Sequence, residues 1–223
     1  MNVPHALPQL KIADVRDNRG KLHRIFVWPW RLYATLSASS EQTHYERDFN
    51  GEVVEFWELR RLMHDLRRCT IQAHMILWAP EENVVVYHEV WREVVAERTR
   101  FLGYGLAPRL IGTAQAQWDK WADSDDDSGI HYARDYFFLM GVLRDVIEYG
   151  TISYSPTEHR ALDAIDSGEW TEDFIDDMLD ESIDWTDAKY PMARAALKDT
   201  ISIPEADALI TAWRWELRDI DPQ

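Results

Sequence analysis

Cysteine is all but absent: the 223 residues contain only Cys69, which excludes an intramolecular disulfide framework and makes a reducing compartment the expectation. The first residues lack a basic stretch followed by an apolar one, so no secretory leader is expected and the cytoplasm is the expected location. No apolar run approaches the roughly 20 residues that a bilayer-spanning helix requires. Basic residues are also in deficit. Lys and Arg number 24 against 40 Asp and Glu, a formal charge of −16 at pH 7, and the summed field of such a chain opposes general binding to phosphate backbones or anionic membranes. There is no internal repeat and no low-complexity segment. What remains is long enough to bury a substantial core, as one large domain or two small ones.

Leu22 to Trp28 is rich in β-formers and stops at Pro29, which reads as a strand followed by a turn or short helix. Glu52 to Val54 and Asn83 to Tyr87 read as two further strands. From Phe56 the period changes, and Phe56, Leu59, Leu62, Met63 and Leu66 predict one apolar helix face. Val90 to Leu102 predicts a second helix. The acidic run Asp123 to Gly129 has no apolar content and is the expected boundary, dividing the chain into residues 1–122 and 130–223. Beyond it the pattern is helical throughout. Tyr132, Tyr136, Leu139, Met140, Leu143 and Ile147 share a face that ends at Gly150, and Thr157 is expected to cap a short helix closed by Gly168. Thr171 caps the next helix, with Phe174, Ile175, Met178, Leu179 and Ile183 expected inside and Asp176, Asp177, Asp180, Glu181 and Asp184 outside. Pro204, expected at the first helical position, opens the last. The expected class is α+β: a small mixed sheet with packed helices, then an all-helical C-terminal region.

Familiar site patterns fail on their own terms. Asp123, Asp125 and Asp127 match the start of a calcium loop, but Ser128 holds the required glycine position and Arg134 the twelfth. Gly103-Tyr104-Gly105 follows a helix and lacks a third glycine. His88-Glu89 lacks a second histidine one turn on, where Arg92 stands. Cys69 sits beside Arg67 and Arg68, which would favour a reactive thiolate, yet a buried structural thiol is the expectation. Trp28 and Trp30 flank Pro29 where stacking on a base or a partner is conceivable, and core packing is expected instead. Carboxylates at helical spacing in the C-terminal half can imitate a phosphate rail, with a solvated face as the plain reading.

Three segments taken together resemble the predicted nucleotidyltransferases of the polymerase β superfamily found in bacteria and their phages. The first is Ile25-Phe26-Val27-Trp28-Pro29, with Tyr33 and Leu36 downstream, then Glu52 to Leu62 and Leu77 to Pro80. The second is Phe101-Leu102 with Gly112 to Gln117. The third is Arg144 to Gly150 followed by Leu162 to Gly168-Glu169-Trp170. The resemblance implies a nucleotidyltransferase-like sheet whose carboxylates hold two divalent cations at its edge. In the matching register, however, the family's Ser-Asp-x-Asp motif falls on Asn18-Arg19-Gly20-Lys21, so both metal-binding acids are cations, and no Gly-Ser turn precedes them. The third acid falls on Val53, between Glu52 and Glu55. Other polar family positions hold Thr70-Ile71, Met75, Thr113, His131, Asp135 and Phe138, while the apolar frame persists.

The resemblance therefore implies a degenerate site with no metal and no cofactor. The leading expectation is a catalytically inactive protein that binds a protein partner, such as a phage accessory factor occupying a host protein. An active metal-dependent transferase modifying RNA or protein would need Mg²⁺ and a nucleoside triphosphate, with Asp14, Asp17, Glu52 and Glu55 as its acids. A third reading has Arg19, Lys21, His23 and Arg24 hold nucleotide phosphates without metal.

Overall fold

Leu10 to Arg16 forms a strand, β1, that the sequence does not announce. Ile12, Ala13, Asp14 and Val15 are all buried, so the strand lacks alternation, and a bulge between Lys11 and Ala13 shifts its pairing. The computed structural model describes residues 10–28, 44–49, 51–124, 129–153 and 159–218. Pro29, Trp30, Tyr33, Leu36, Asp125, Asp127, Ser128 and Thr157 lie outside them.

A tight turn returns β1 into β2, Leu22–Val27. The Asp17 carboxylate accepts from the backbone N–H groups of Arg19 and Lys21, each at 2.9 Å, and Gly20 supplies the left-handed residue at φ +77°. Strand β3, His44–Phe49, and strand β4, Glu52–Glu58, form a hairpin. β4 pairs parallel to β2, and β5, Val84–Val86, pairs antiparallel to β1. The five-stranded order is β3-β4-β2-β1-β5.

The expected helix from Phe56 is corrected here. Phe56 and Trp57 belong to β4, where they pair with Arg24 and Ile25, and helix α1 occupies Leu59–Arg67. Glu58 sets its start by accepting from the Arg60 N–H at 2.8 Å. At its other end Cys69 takes φ +55°, with Cys69 N–H bonded to Leu66 O and Thr70 N–H to Asp65 O, both at 2.9 Å. This is the Schellman arrangement, normally closed by glycine. The Cys69 side chain is buried at 4% exposure, so its thiol should react with Ellman's reagent at least about 100-fold more slowly in the native protein than in urea. Native labelling at the unfolded rate would contradict the packing.

Helix α2 spans Ile71–Leu77 and α3 Val90–Ala96. The latter is shorter than the sequence suggested, since Arg98–Phe101 continues as a 3₁₀ turn. The chain then divides into two compact units, Met1–Phe101 with Ile201–Gln223, and Leu102–Thr200. Asp123, Ser124 and Gly129, from the acidic run, fall within the second unit.

The second unit contains α4 (Leu106–Ala122), α5 (Ile130–Tyr149), α6 (His159–Asp166) and α7 (Glu172–Ala196). Its buried residues run on both sides of the acidic segment: Leu110 and Ala114 on α4, Tyr136 and Leu143 on α5. Apolar burial overrides the local charge signal as a divider. Gly150 and Gly168 do end their helices, at φ +62° and +71°, and Thr171 Oγ1 accepts from the Phe174 N–H at 3.3 Å. On α7, Ile175 and Leu179 are buried as expected, but Phe174 and Ile183 are exposed. Helix α8, Ile203–Glu216, belongs to the first unit and begins one residue before Pro204. Ser202 and Glu205 close a reciprocal capping box there. Among the described residues no helix is long and apolar enough to cross a membrane.

Candidate functional site

Alternation along β2 sends Lys21 and His23 to one face of the sheet and Arg24 to the other. Register does the rest: His23 lies opposite Glu55 of β4, and Glu55 lies opposite Glu46 of β3. His23 is fully buried. Its Nε2 lies 2.9 Å from Asp17 Oδ2, and its Nδ1 lies 3.0 Å from Glu55 Oε2, a contact of charge rather than of an aligned hydrogen bond.

Glu55 is 4% exposed and accepts from Trp57 Nε1 at 3.1 Å and from Gln72 Nε2 of α2 at 2.8 Å. The Lys21 ammonium bonds the same carboxylate and reaches Glu46 Oε1 at 2.6 Å. His44 stacks on the Trp57 ring at 3.9 Å between centroids and brings Nε2 to 3.6 Å from Glu55. A carboxylate this deep is tolerated because cations and donors replace its water.

Titration follows from these contacts. Burial opposes the charge on Glu55, but the close approach of His23 and His44, the Lys21 hydrogen bond and the His23 charge outweigh it and hold the carboxyl well below its usual range. Asp17 is lowered likewise: its desolvation is outweighed by the His23 bond and by the turn N–H groups. His23 moves the opposite way, since burial works against its charge while Asp17 and Glu55 raise it above 6.5.

The other face holds a separate pair. Arg24 grips Asp14 in a fork, Nε to Oδ1 and Nη2 to Oδ2, both at 2.7 Å, and Tyr87 donates to Asp14 Oδ2 at 3.0 Å. The Arg24 guanidinium also lies over the Phe56 ring at 5.6 Å. Glu52 pairs with Arg16 at 2.7 Å in an exposed contact worth little. Arg19 sits on the exposed outside of the turn.

The candidate residues thus sort themselves. Asp17, Lys21, His23 and Glu55 converge. Asp14 and Arg24 lie across the sheet from them, and Glu52 and Arg19 stay at the rim. Asp14 lies inside β1. His44, Glu46 and Gln72 complete the cluster and carry no sequence signal of their own; His44 and Glu46 lie on β3, an edge strand with little apolar patterning. A two-cation centre needs acids whose oxygens face ligand space. Asp14, Asp17 and Glu55 instead meet side-chain cations fixed by neighbouring strands or turns, a donor set that does not fit such a centre. Among the described residues no group of three or more His, Cys, Asp or Glu is disposed to hold a metal ion.

No family model matches the chain, and no curated protein does. Among solved structures, a nucleotidyltransferase-like protein from Exiguobacterium sibiricum 255-15 is similar with a TM-score of 0.33 and 8% identity, covering 98% of this chain and 77% of that one. Likeness of that degree carries no inference about activity.

Proposed function

We propose that the protein is a degenerate nucleotidyltransferase-like protein that acts by binding a protein partner, not by transferring a nucleotide. One observation carries this reading: the acids that a transferase would need are already neutralised within the sheet, Asp14 by Arg24 and Asp17 and Glu55 by His23, with Lys21 also on Glu55. A divalent cation would have to displace Lys21 and His23, and the protein would then retain two positive charges beside the metal, one of them on the buried His23. The same commitments weigh against holding phosphates with Lys21, His23 and Arg24, whose charges are spent on carboxylates and split between two faces. Binding needs no cofactor. A host protein in the cytoplasm is the partner this reading favours, the chain being a phage accessory factor or an inhibitor of that protein.

The test is incubation with radiolabelled nucleoside triphosphates and Mg²⁺ or Mn²⁺, offering RNA, host protein extract and the chain itself as acceptors. No label above a heat-killed control is expected. Transfer that disappears in Asp17→Asn or Glu55→Gln variants of native-like circular dichroism would overturn the proposal and restore the enzyme reading, with Mg²⁺ and a nucleoside triphosphate as its requirements.

A further inference from the structure

The set of α7 residues expected inside splits in the structure, and the split leaves a surface to explain. Ile175 is buried, whereas Phe174 is 44% exposed. Phe174, Met178, Glu181 and Trp185 fall at i, i+4, i+7 and i+11, the spacing of a single seam along a helix. Opposite them α5 contributes Phe137, Met140 and Arg144. Together with Met178, Glu181, Ser182 and Trp185 these side chains line a cavity of about 240 Å³.

The lining mixes apolar side chains with Arg144, Glu181 and Ser182, and its apolar part is adaptable. Two thioethers and two aromatic rings can repack around differently shaped side chains, and the Arg144 guanidinium lies 4.8 Å over the Trp185 ring. Away from the seam, α7 is strongly acidic. Besides Glu181 it carries seven carboxylates between Glu172 and Asp187, all exposed, against Lys189 and Arg194 on the whole helix.

We infer that this seam is a docking groove for a basic amphipathic helix of a protein partner, with its apolar side in the groove and its Lys and Arg toward the α7 acids. The inference rests on the binding role proposed above and gives that role a place and a partner chemistry. Charge complementarity selects the occupant. A second copy of the chain would bring acid against acid, and nucleic acid would bring phosphates against the same carboxylates. A neutral apolar helix would bury the lining but leave the rim without counter-charge. A basic amphipathic helix answers both features at once, and anchors at i, i+4 and i+7 match the seam.

The test uses the full chain and three fluorescently labelled 18-residue peptides read by anisotropy. The first has leucines at i, i+3, i+4 and i+7 and lysines elsewhere. In the second, glutamates replace the lysines, and the third has the first peptide's composition in strict alternation. The Leu/Lys helix is expected to bind with a Kd on the order of micromolar, the other two at least about tenfold more weakly. Met178→Asp, which spoils the apolar part of the groove, and Glu181→Lys, which reverses an exposed charge at the groove, should each weaken the first peptide at least about tenfold. Circular dichroism should remain unchanged in the Glu181→Lys variant. Equal binding of the Leu/Glu peptide, unaltered affinity in both variants, or self-association abolished by Glu181→Lys would each overturn the inference. None of those outcomes produces nucleotide transfer, so loss of the groove and loss of the binding role are read in separate experiments.

Discussion

Replacing His23 by Phe is expected to destabilise the protein by about 3–5 kcal/mol, the loss typical when one member of a buried charge pair is deleted. Asp17 and Glu55 would stay where they are without the imidazolium between them, while the aromatic ring keeps most of the volume filled. The sign of the pH dependence is fixed by the direction of each shift. His23 is raised above 6.5 in the fold, so its contribution is complete below pH 6.5 and fades as pH rises through the raised value. Glu55 is held below its ordinary 4.5, so its contribution is complete above that pH and is lost on acidification. The gap between wild type and His23→Phe should therefore be widest between pH 4.5 and 6.5. Urea titrations at pH 5.5 and pH 9 measure it. A loss below about 1 kcal/mol at pH 5.5 would mean that the cluster is not held together as described.

His74 on α2 presents the opposite case and the second large effect. It is 1% exposed, neither ring nitrogen makes an aligned hydrogen bond, and burial lowers its pKa to about 4, with the Leu66 backbone giving only slight relief. The folded protein holds this imidazole neutral while the unfolded chain protonates it near 6.5. Stability is thus lost as pH falls from 6.5 toward 4, by about 3 kcal/mol from this one residue. His74→Leu should abolish that loss, so the variant gains on wild type by about that amount at pH 4 relative to pH 7. Parallel stability curves for the two proteins across that range would sink the account. The two histidines separate cleanly in such data, because His23 protects the fold in the same acid window where His74 undermines it.

Much of the helical architecture is legible in the sequence, because Leu59 to Leu66 and Tyr136 to Leu143 repeat at helical spacing and Gly150 and Gly168 mark chain reversals that other residues adopt at a strain. Two strands are not legible, each for its own reason. β1 is buried over four successive residues, Ile12 to Val15, so it has no period to detect. β3 reads His-Tyr-Glu-Arg-Asp-Phe, an edge strand whose charges discourage unwanted pairing and hide it from a search for apolar alternation. The helix starts later than the apolar spacing predicts because no breaker separates β4 from α1, and only Glu58, acting as a cap, divides them. Of the site, Asp17, Lys21, His23 and Glu55 are visible in the sequence as residues, but their convergence is not. Whether a cation opposes an acid depends on cross-strand register over 32 positions, from His23 to Glu55, and that is set by tertiary packing.

The first unit takes its last helix from the far end of the chain. Ile201 N–H bonds Arg100 O at 3.0 Å and Arg67 Nε bonds Ile201 O at 3.2 Å, while Ala206, Ile210, Trp213 and Leu217 of this returning segment are buried. During synthesis the helical unit, continuous in sequence, is therefore free to fold while the sheet still waits for α8 to leave the ribosome. The apolar surface that α8 covers stays bare for the time needed to translate the intervening hundred or so residues, on the order of 5–20 seconds at typical elongation rates. A chaperone that recognises exposed apolar surface has its natural window in that interval, and a nonsense mutation near residue 200 would hold the window open permanently.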